Sequence, residues 1–125
     1  MDKIIYREES YDTVGCCFEV FNELGPGHRE KTYQLALEKV LTSRKIPFIS
    51  QQYIPVKVNG QFVDKHYIDM VVFGKIAIEL KTKDHLHKRD IDQLYSYLMS
   101  SKLKLGILIN FTSNGVVCRR VLNCN

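Results

Sequence analysis

Tyr67-Ile68-Asp69-Met70-Val71-Val72-Phe73-Gly74-Lys75-Ile76-Ala77-Ile78-Glu79-Leu80-Lys81 reads as two short strands around a turn, and its register organises the rest of the chain. Side chains alternate across a strand, so Ile68, Met70 and Val72 form one apolar set and Ile76, Ile78 and Leu80 another. The two sets meet on one buried face only if the loop has an odd number of residues. Phe73-Gly74-Lys75 meets that condition and pairs Met70 with Ile78 and Asp69 with Glu79. Asp69, Glu79 and Lys81 then project from the opposite face, beside Val71 and Ala77. A slip by one residue would drive both carboxylates under the apolar layer, so the register is strongly specified.

Carboxylates facing each other across a sheet repel. Lys81 supplies one compensating charge, and a hard dication held by Asp69 and Glu79 would supply more. Mg²⁺ commonly takes one or two carboxylates and completes its shell with water and substrate phosphate. The patch therefore suits a divalent metal and a phosphate group. An isolated Glu-x-Lys is also a frequent pattern on solvated sheet faces, where an incidental ion pair accounts for it. The other segments have to decide between these readings.

Upstream, Val14, Cys17, Phe18, Phe21 and Leu24 recur at helical spacing and predict a helix over Ser10 to Leu24, stopped by Gly25-Pro26-Gly27. A second helix is expected from about His28 to Ser43, with Tyr33, Leu37, Val40 and Leu41 inward. Pro47 to Val58 reads as extended, and Asn59-Gly60 is a hairpin signal leading into Gln61 to Phe73. With the Glu79 strand these make a three-stranded antiparallel meander. Downstream, the cation-rich Lys83-Asp84-His85-Leu86-His87-Lys88-Arg89 connects to a helix from about Arg89 to Ser101, with a core stripe of Ile91, Leu94, Tyr95 and Leu98. Leu105 to Asn110 is nearly all apolar, as a strand covered on both faces should be. Val116 to Val121 is a final strand after the turn at Ser113-Asn114-Gly115. The order is ααβββαββ.

A length of 125 residues, 45% hydrophobic and 26% charged, fits one domain over residues 1–125, with residues 1–9 as an N-terminal extension. The net charge of +4 suits a polyanionic partner without requiring one. No stretch approaches a transmembrane span and the N-terminus lacks a signal peptide's apolar region, so a cytoplasmic protein without membrane contact is expected. Cys16, Cys17, Cys118 and Cys124 contain no C-x-x-C pair, which argues against structural zinc or a disulfide framework. His85-x-His87 has no partner cluster at ligand spacing and reads as part of a basic loop.

Two further groupings lie on the helices. Glu30 and Tyr33 share a side of the second helix at i,i+3, where helix-dipole and core explanations also suffice. Gln93 and Tyr97 lie at i,i+4 on a flank of the third helix separate from its core stripe, with Asp90 nearby. Gly27-x-x-Glu30-x-x-Tyr33 resembles the signature of the GxxExxY proteins, a family assigned to the PD-(D/E)xK nuclease-like superfamily. The resemblance runs from about Thr13 to Leu122. It takes in Asn22-Glu23-Leu24-Gly25-Pro26-Gly27, Asp69 with Glu79-Leu80-Lys81, Gln93-Leu94-x-x-Tyr97-Leu98, and Leu105-Gly106-x-Leu108-x-Asn110-Phe111.

The resemblance implies an α/β fold with a restriction-endonuclease-like core, αβββαβ, in which helices flank a central mixed sheet. It implies that Asp69 and Glu79 bind Mg²⁺ or Mn²⁺, that Lys81 is the motif lysine, and that Glu30 is the first-helix acid. Gln93 and Tyr97 are similar to the Q-x-x-x-Y element of RecB-like exonucleases. Ile68 stands where the superfamily name has proline, a departure that removes no ligand.

The implied activity is metal-dependent hydrolysis of DNA. Asp69, Glu79 and the Leu80 backbone carbonyl would hold metal, Glu30 would join the shell through water, and Lys81 would orient the attacking water or stabilise the transition state. Gln93, Tyr97 and Tyr33 would contact substrate, and Lys83, His85, His87, Lys88 and Arg89 would contact backbone phosphates. Two alternatives stay open at this point: a nucleic-acid-binding or regulatory module that keeps the fold without turnover, and a subunit completed by a homo-oligomer or partner protein.

Overall fold

The structure is a computed structural model that describes residues 4–125. The described elements are α1 (Arg7–Leu24), α2 (Glu30–Ser43), β1 (Phe48–Val58), β2 (Gln61–Val72), β3 (Ile76–Lys81), α3 (Lys88–Ser101), β4 (Leu105–Thr112) and β5 (Gly115–Leu122). Their order is the expected ααβββαββ, with half of the element ends moved by one to three residues. Residues 7–9, assigned from sequence to an extension, form the first turn of α1; residues 1–3 of that extension lie outside the described residues.

The strands form one mixed sheet in the order β1-β2-β3-β4-β5. β1, β2 and β3 are the antiparallel meander, β3 and β4 run parallel, and β5 returns antiparallel to β4. A parallel neighbour needs a crossover, and α3 supplies it. The β1–β2 turn is Asn59-Gly60, both with positive φ (52° and 74°), as a tight hairpin matching strand twist requires.

Helices cover both sheet faces. On one face Cys16, Cys17 and Val20 of α1 and Tyr33, Leu37 and Leu41 of α2 pack on Met70, Val72, Ile76, Ile78, Leu80, Leu105, Ile107 and Ile109. On the other, Leu94, Tyr97 and Leu98 of α3 pack on Ile54, Ile68, Val71, Ala77 and Leu108. β3 and β4, sandwiched between these layers, are buried almost throughout. Gly106 allows α3 to lie close: a Cβ there would come within 2.8 Å of Leu94 Cδ2. Among the described residues no helix is long and apolar enough to cross a membrane.

Three expectations about facing are corrected. Ile68 lies in the α3-side cluster, not with Met70 and Val72. The reason is local: Gln51 takes a positive φ of 53° opposite Asp69, and the β1–β2 register steps from Ser50↔Met70 to Gln52↔Ile68 across it. Strand parity changes at that irregularity, and since both faces are buried no polar-apolar contrast announces it. In α1 the inward stripe is Thr13, Cys16, Cys17 and Val20, at i, i+3, i+4 and i+7, and Phe18 is exposed. In α3 Tyr97 faces inward and Tyr95 outward, the reverse of the expected stripe.

Candidate functional site

The β2–β3 hairpin has the expected three-residue loop and pairs Met70 with Ile78, Val71 with Ala77 and Val72 with Ile76, then stops. Asp69 and Glu79 are not ladder partners. Their carboxylates replace the missing rung: the Asp69 backbone N–H donates to Glu79 Oε2 at 2.7 Å, and the Leu80 N–H donates to Asp69 Oδ2 at 2.9 Å. Each acid is thus held by the other strand's backbone. Gln34 of α2 donates from Nε2 to the Asp69 carbonyl at 3.2 Å, fixing β2 where it departs from β3. A strand residue turns its N–H and C=O to the same edge, so the Leu80 carbonyl shares the side of its N–H, toward Asp69.

This is not a solvated sheet face. Glu79 is 6% exposed and Asp69 half-buried. Burial, then the neighbouring Asp69 charge, pushes the Glu79 carboxyl from 4.5 up to about 8. Asp69 is also raised by burial, against the pull of the Leu80 N–H and Lys81. Two acids competing for one buried gap are what a cation would relieve. Among the described residues no group of three or more His, Cys, Asp or Glu is placed to hold a metal. Two carboxylates and a carbonyl are instead a partial shell, which fits a hard ion that retains water. Glu30, the exposed first residue of α2, lies in the same field: burial and then Asp69 raise its carboxyl, while Lys81 and Lys83 pull it down.

The lysines are organised by a residue that the sequence reading placed only on a flank. Asp90, buried on α3, accepts from Lys83 Nζ at 2.9 and 3.0 Å and from the His87 N–H at 2.8 Å, and lies 4.0 Å from Lys81 Nζ. Burial raises its carboxyl, but the His87 N–H and Lys83 outweigh that and hold it below the ordinary value. The three-residue spacing from His87 to Asp90 is a capping-box spacing, the one signal in the sequence for this role. Asn110, 1% exposed on β4, clamps the backbone of Lys83, accepting from its N–H at 3.0 Å and donating to its carbonyl at 2.9 Å. A cavity of about 400 Å³ opens beside these groups, lined by Gly27, His28, Thr82, Lys83, Phe111 and Thr112 among others.

The remaining expected contacts divide. Tyr97 is 8% exposed, its ring centroid 5.0 Å from that of His66, and its hydroxyl is raised by burial, then by Glu79 and Asp69. It therefore borders the carboxylates. Gln93 is exposed on α3. Tyr33 is not placed to touch substrate: it is fully buried, stacked on Phe111 at 4.1 Å, with its hydroxyl donating to the Gly25 carbonyl at 2.6 Å. Its inward helix position and large ring make it core. Of the cationic run, Lys83 is committed to Asp90, His87 caps α3 and Lys88 pairs with Asp92 at 2.8 Å; His85, His87, Lys88 and Arg89 are all exposed.

The family model of the PD-(D/E)XK nuclease superfamily matches residues 7–121. Among solved structures, SSO0001 is similar with a TM-score of 0.61 and 23% identity, over 74% of this chain and 50% of that one. This chain thus spans about half the length of SSO0001. An alkaline exonuclease from Laribacter hongkongensis aligns with a TM-score of 0.53 and 12% identity, over 98% of this chain and 72% of that one. At such identities the likeness is one of fold. No curated protein matches in sequence.

Proposed function

The chain belongs to the PD-(D/E)XK nuclease superfamily, and from that premise we infer that it is a metal-dependent nuclease hydrolysing DNA phosphodiester bonds. The observation that carries this reading is the pair of interlocked acids at the parting of β2 and β3, with Glu79 pushed up to about 8 and Lys81 on the same strand. So costly an arrangement is hard to account for by stability alone.

Asp69, Glu79 and the Leu80 carbonyl would hold Mg²⁺ or Mn²⁺, with Glu30 reaching it through water. When bound, the ion lowers the pKa of a water and offsets charge developing on the phosphate. Lys81 orients the attacking water or stabilises the phosphoryl oxygens. Asp90, 4.0 Å from the Lys81 ammonium, biases it from the α3 side while taking the nearer Lys83 as its main partner. Tyr97, beside the acids, and Gln93, a turn before it, position the scissile nucleotide. His85 and Arg89 meet backbone phosphates without reading sequence. The GxxExxY branch and its Q-x-x-x-Y element are part of this proposal.

The test is cleavage of labelled single-stranded, duplex and branched DNA with Mg²⁺ or Mn²⁺. Wild type should cleave at least one substrate, and Glu79→Gln and Lys81→Ala should each lose about 100-fold or more. Calorimetric titration with Mn²⁺ should show a site that Asp69→Ala abolishes. Wild-type activity no higher than that of Glu79→Gln would overturn the catalytic reading and leave a nucleic-acid-binding module on the nuclease fold.

A further inference from the structure

The β1–β2 pair is much longer than the β2–β3 pair. Ladder contacts with β1 run from Val72 to Gln61, whereas β3 pairs only as far as Met70. Residues 52–67 are therefore a two-stranded ribbon that continues past the carboxylate site. Tyr67 stands two residues from Asp69, roughly 7 Å along the strand.

The ribbon's register sorts its side chains by face. Tyr53 pairs with Tyr67 and Pro55 with Lys65. The register shift after Val56 leaves Val63 as the extra residue on β2, so β1 alternation continues to Lys57, which pairs with Phe62. One face thus presents Tyr53, Tyr67, Lys65, Lys57 and Phe62 without an acid. The other carries Ile54 and His66, packed on α3, together with Asp64, the ribbon's one acidic residue. Tyr53, Tyr67 and Phe62 are 45%, 47% and 58% exposed, and both lysines are exposed. The tyrosine rings meet edge-on, centroids 5.7 Å apart.

We propose that this outer face of the ribbon is a stacking platform for unpaired bases of a single DNA strand that runs to the carboxylate site. Aromatic faces interleaved with lysines, with acid excluded, suit bases and phosphates of a flexible strand, because every base has a π-face while a closed duplex hides it. Tyr67 lies two residues before Asp69 on β2, and because Glu79 and Lys81 share the α3 side with Ala77, a strand leaving the platform reaches the acids by turning around the open end of the β2–β3 pair. Lysines on an exposed edge oppose self-pairing, which disfavours a second copy of the chain as the occupant. The route rests on the nuclease reading; the binding itself does not need turnover.

The test is fluorescence anisotropy with a labelled oligothymidylate and with a blunt duplex of equal length, in EDTA, so that cleavage plays no part. Tyr53→Ala with Tyr67→Ala should weaken single-strand binding by roughly 10- to 100-fold while leaving duplex binding little changed. Tyr53→Phe with Tyr67→Phe, which keeps both rings, should bind as wild type. Should the alanine pair disturb the ribbon by circular dichroism, Lys57→Glu with Lys65→Glu decides, with an expected loss of single-strand binding. Undiminished oligothymidylate binding, or an equal loss on duplex, overturns the proposal. So does a wild-type dimer in sedimentation that the alanine pair dissociates, because a second copy would then occupy the face. Tyrosine-dependent binding without cleavage in any metal removes the nuclease reading and keeps the platform; cleavage with tyrosine-independent binding does the reverse.

Discussion

Glu79 places chemistry and stability in opposition. Its carboxyl moves from 4.5 in the unfolded chain to about 8 in the fold, driven by burial and then by Asp69. Between those values the native state keeps a proton that the unfolded chain has released, so metal-free stability falls as pH rises through this window and levels off above it. The penalty at full ionisation is on the order of a few kcal/mol. Glu79→Gln should therefore melt close to wild type near pH 4.5 and at least about 4 °C higher at pH 8.5 without metal, as thermal melts at the two pH values would show. The same proton competes with metal. Mn²⁺ affinity should rise by up to about tenfold per pH unit below 8, with proton release visible in calorimetry across buffers of different ionisation enthalpy. Tyr33 behaves differently, as a core residue whose hydroxyl donates to the Gly25 carbonyl and accepts from the His28 N–H. Tyr33→Phe should cost about 1 kcal/mol in denaturant unfolding. The Gly-x-x-Glu-x-x-Tyr spacing put Glu30 and Tyr33 on one side of a helix, but could not say that the tyrosine is buried against Phe111 of β4 while the glutamate stays exposed.

At the scale of elements, the hairpin was legible because turn length and alternation are local. Three loop residues and two apolar sets admit one register, and Met70 does pair with Ile78. The parting of β2 from β3 was not legible, because it depends on Gln51 in the neighbouring strand and on Gln34 from a helix. The seating of α3 is equally non-local. Gly106→Ala should push Leu94 outward and cost about 1–3 kcal/mol, with loss of activity as Asp90 and Tyr97 move with the helix; melting and cleavage together would show it. Asn110→Ala should cost a comparable amount, about 1–3 kcal/mol, by stranding the N–H and carbonyl of Lys83 that its amide now satisfies.

For the whole molecule, the sheet sits between two helical layers, with the acids at the point where the meander opens. If the ribbon carries a strand, binding should weaken with salt. Removing Lys57 and Lys65 should flatten the log-log slope by about 1.4, measured by anisotropy over a salt series. The order of eight elements, the hairpin register, and the sharing of one neighbourhood by Asp69, Glu79 and Lys81 follow from the sequence by itself, because spacing, turn residues and apolar period act over a few residues. Only the tertiary structure decided that Ile68 turns to the α3 side, that Tyr97 rather than Tyr95 faces in, and that Asp90 takes up Lys83 beside Lys81. A sheet covered on both faces removes the polar-apolar contrast from which facing is read, and the ionisation of Glu79 is set by neighbours from other strands and helices that no local pattern reports.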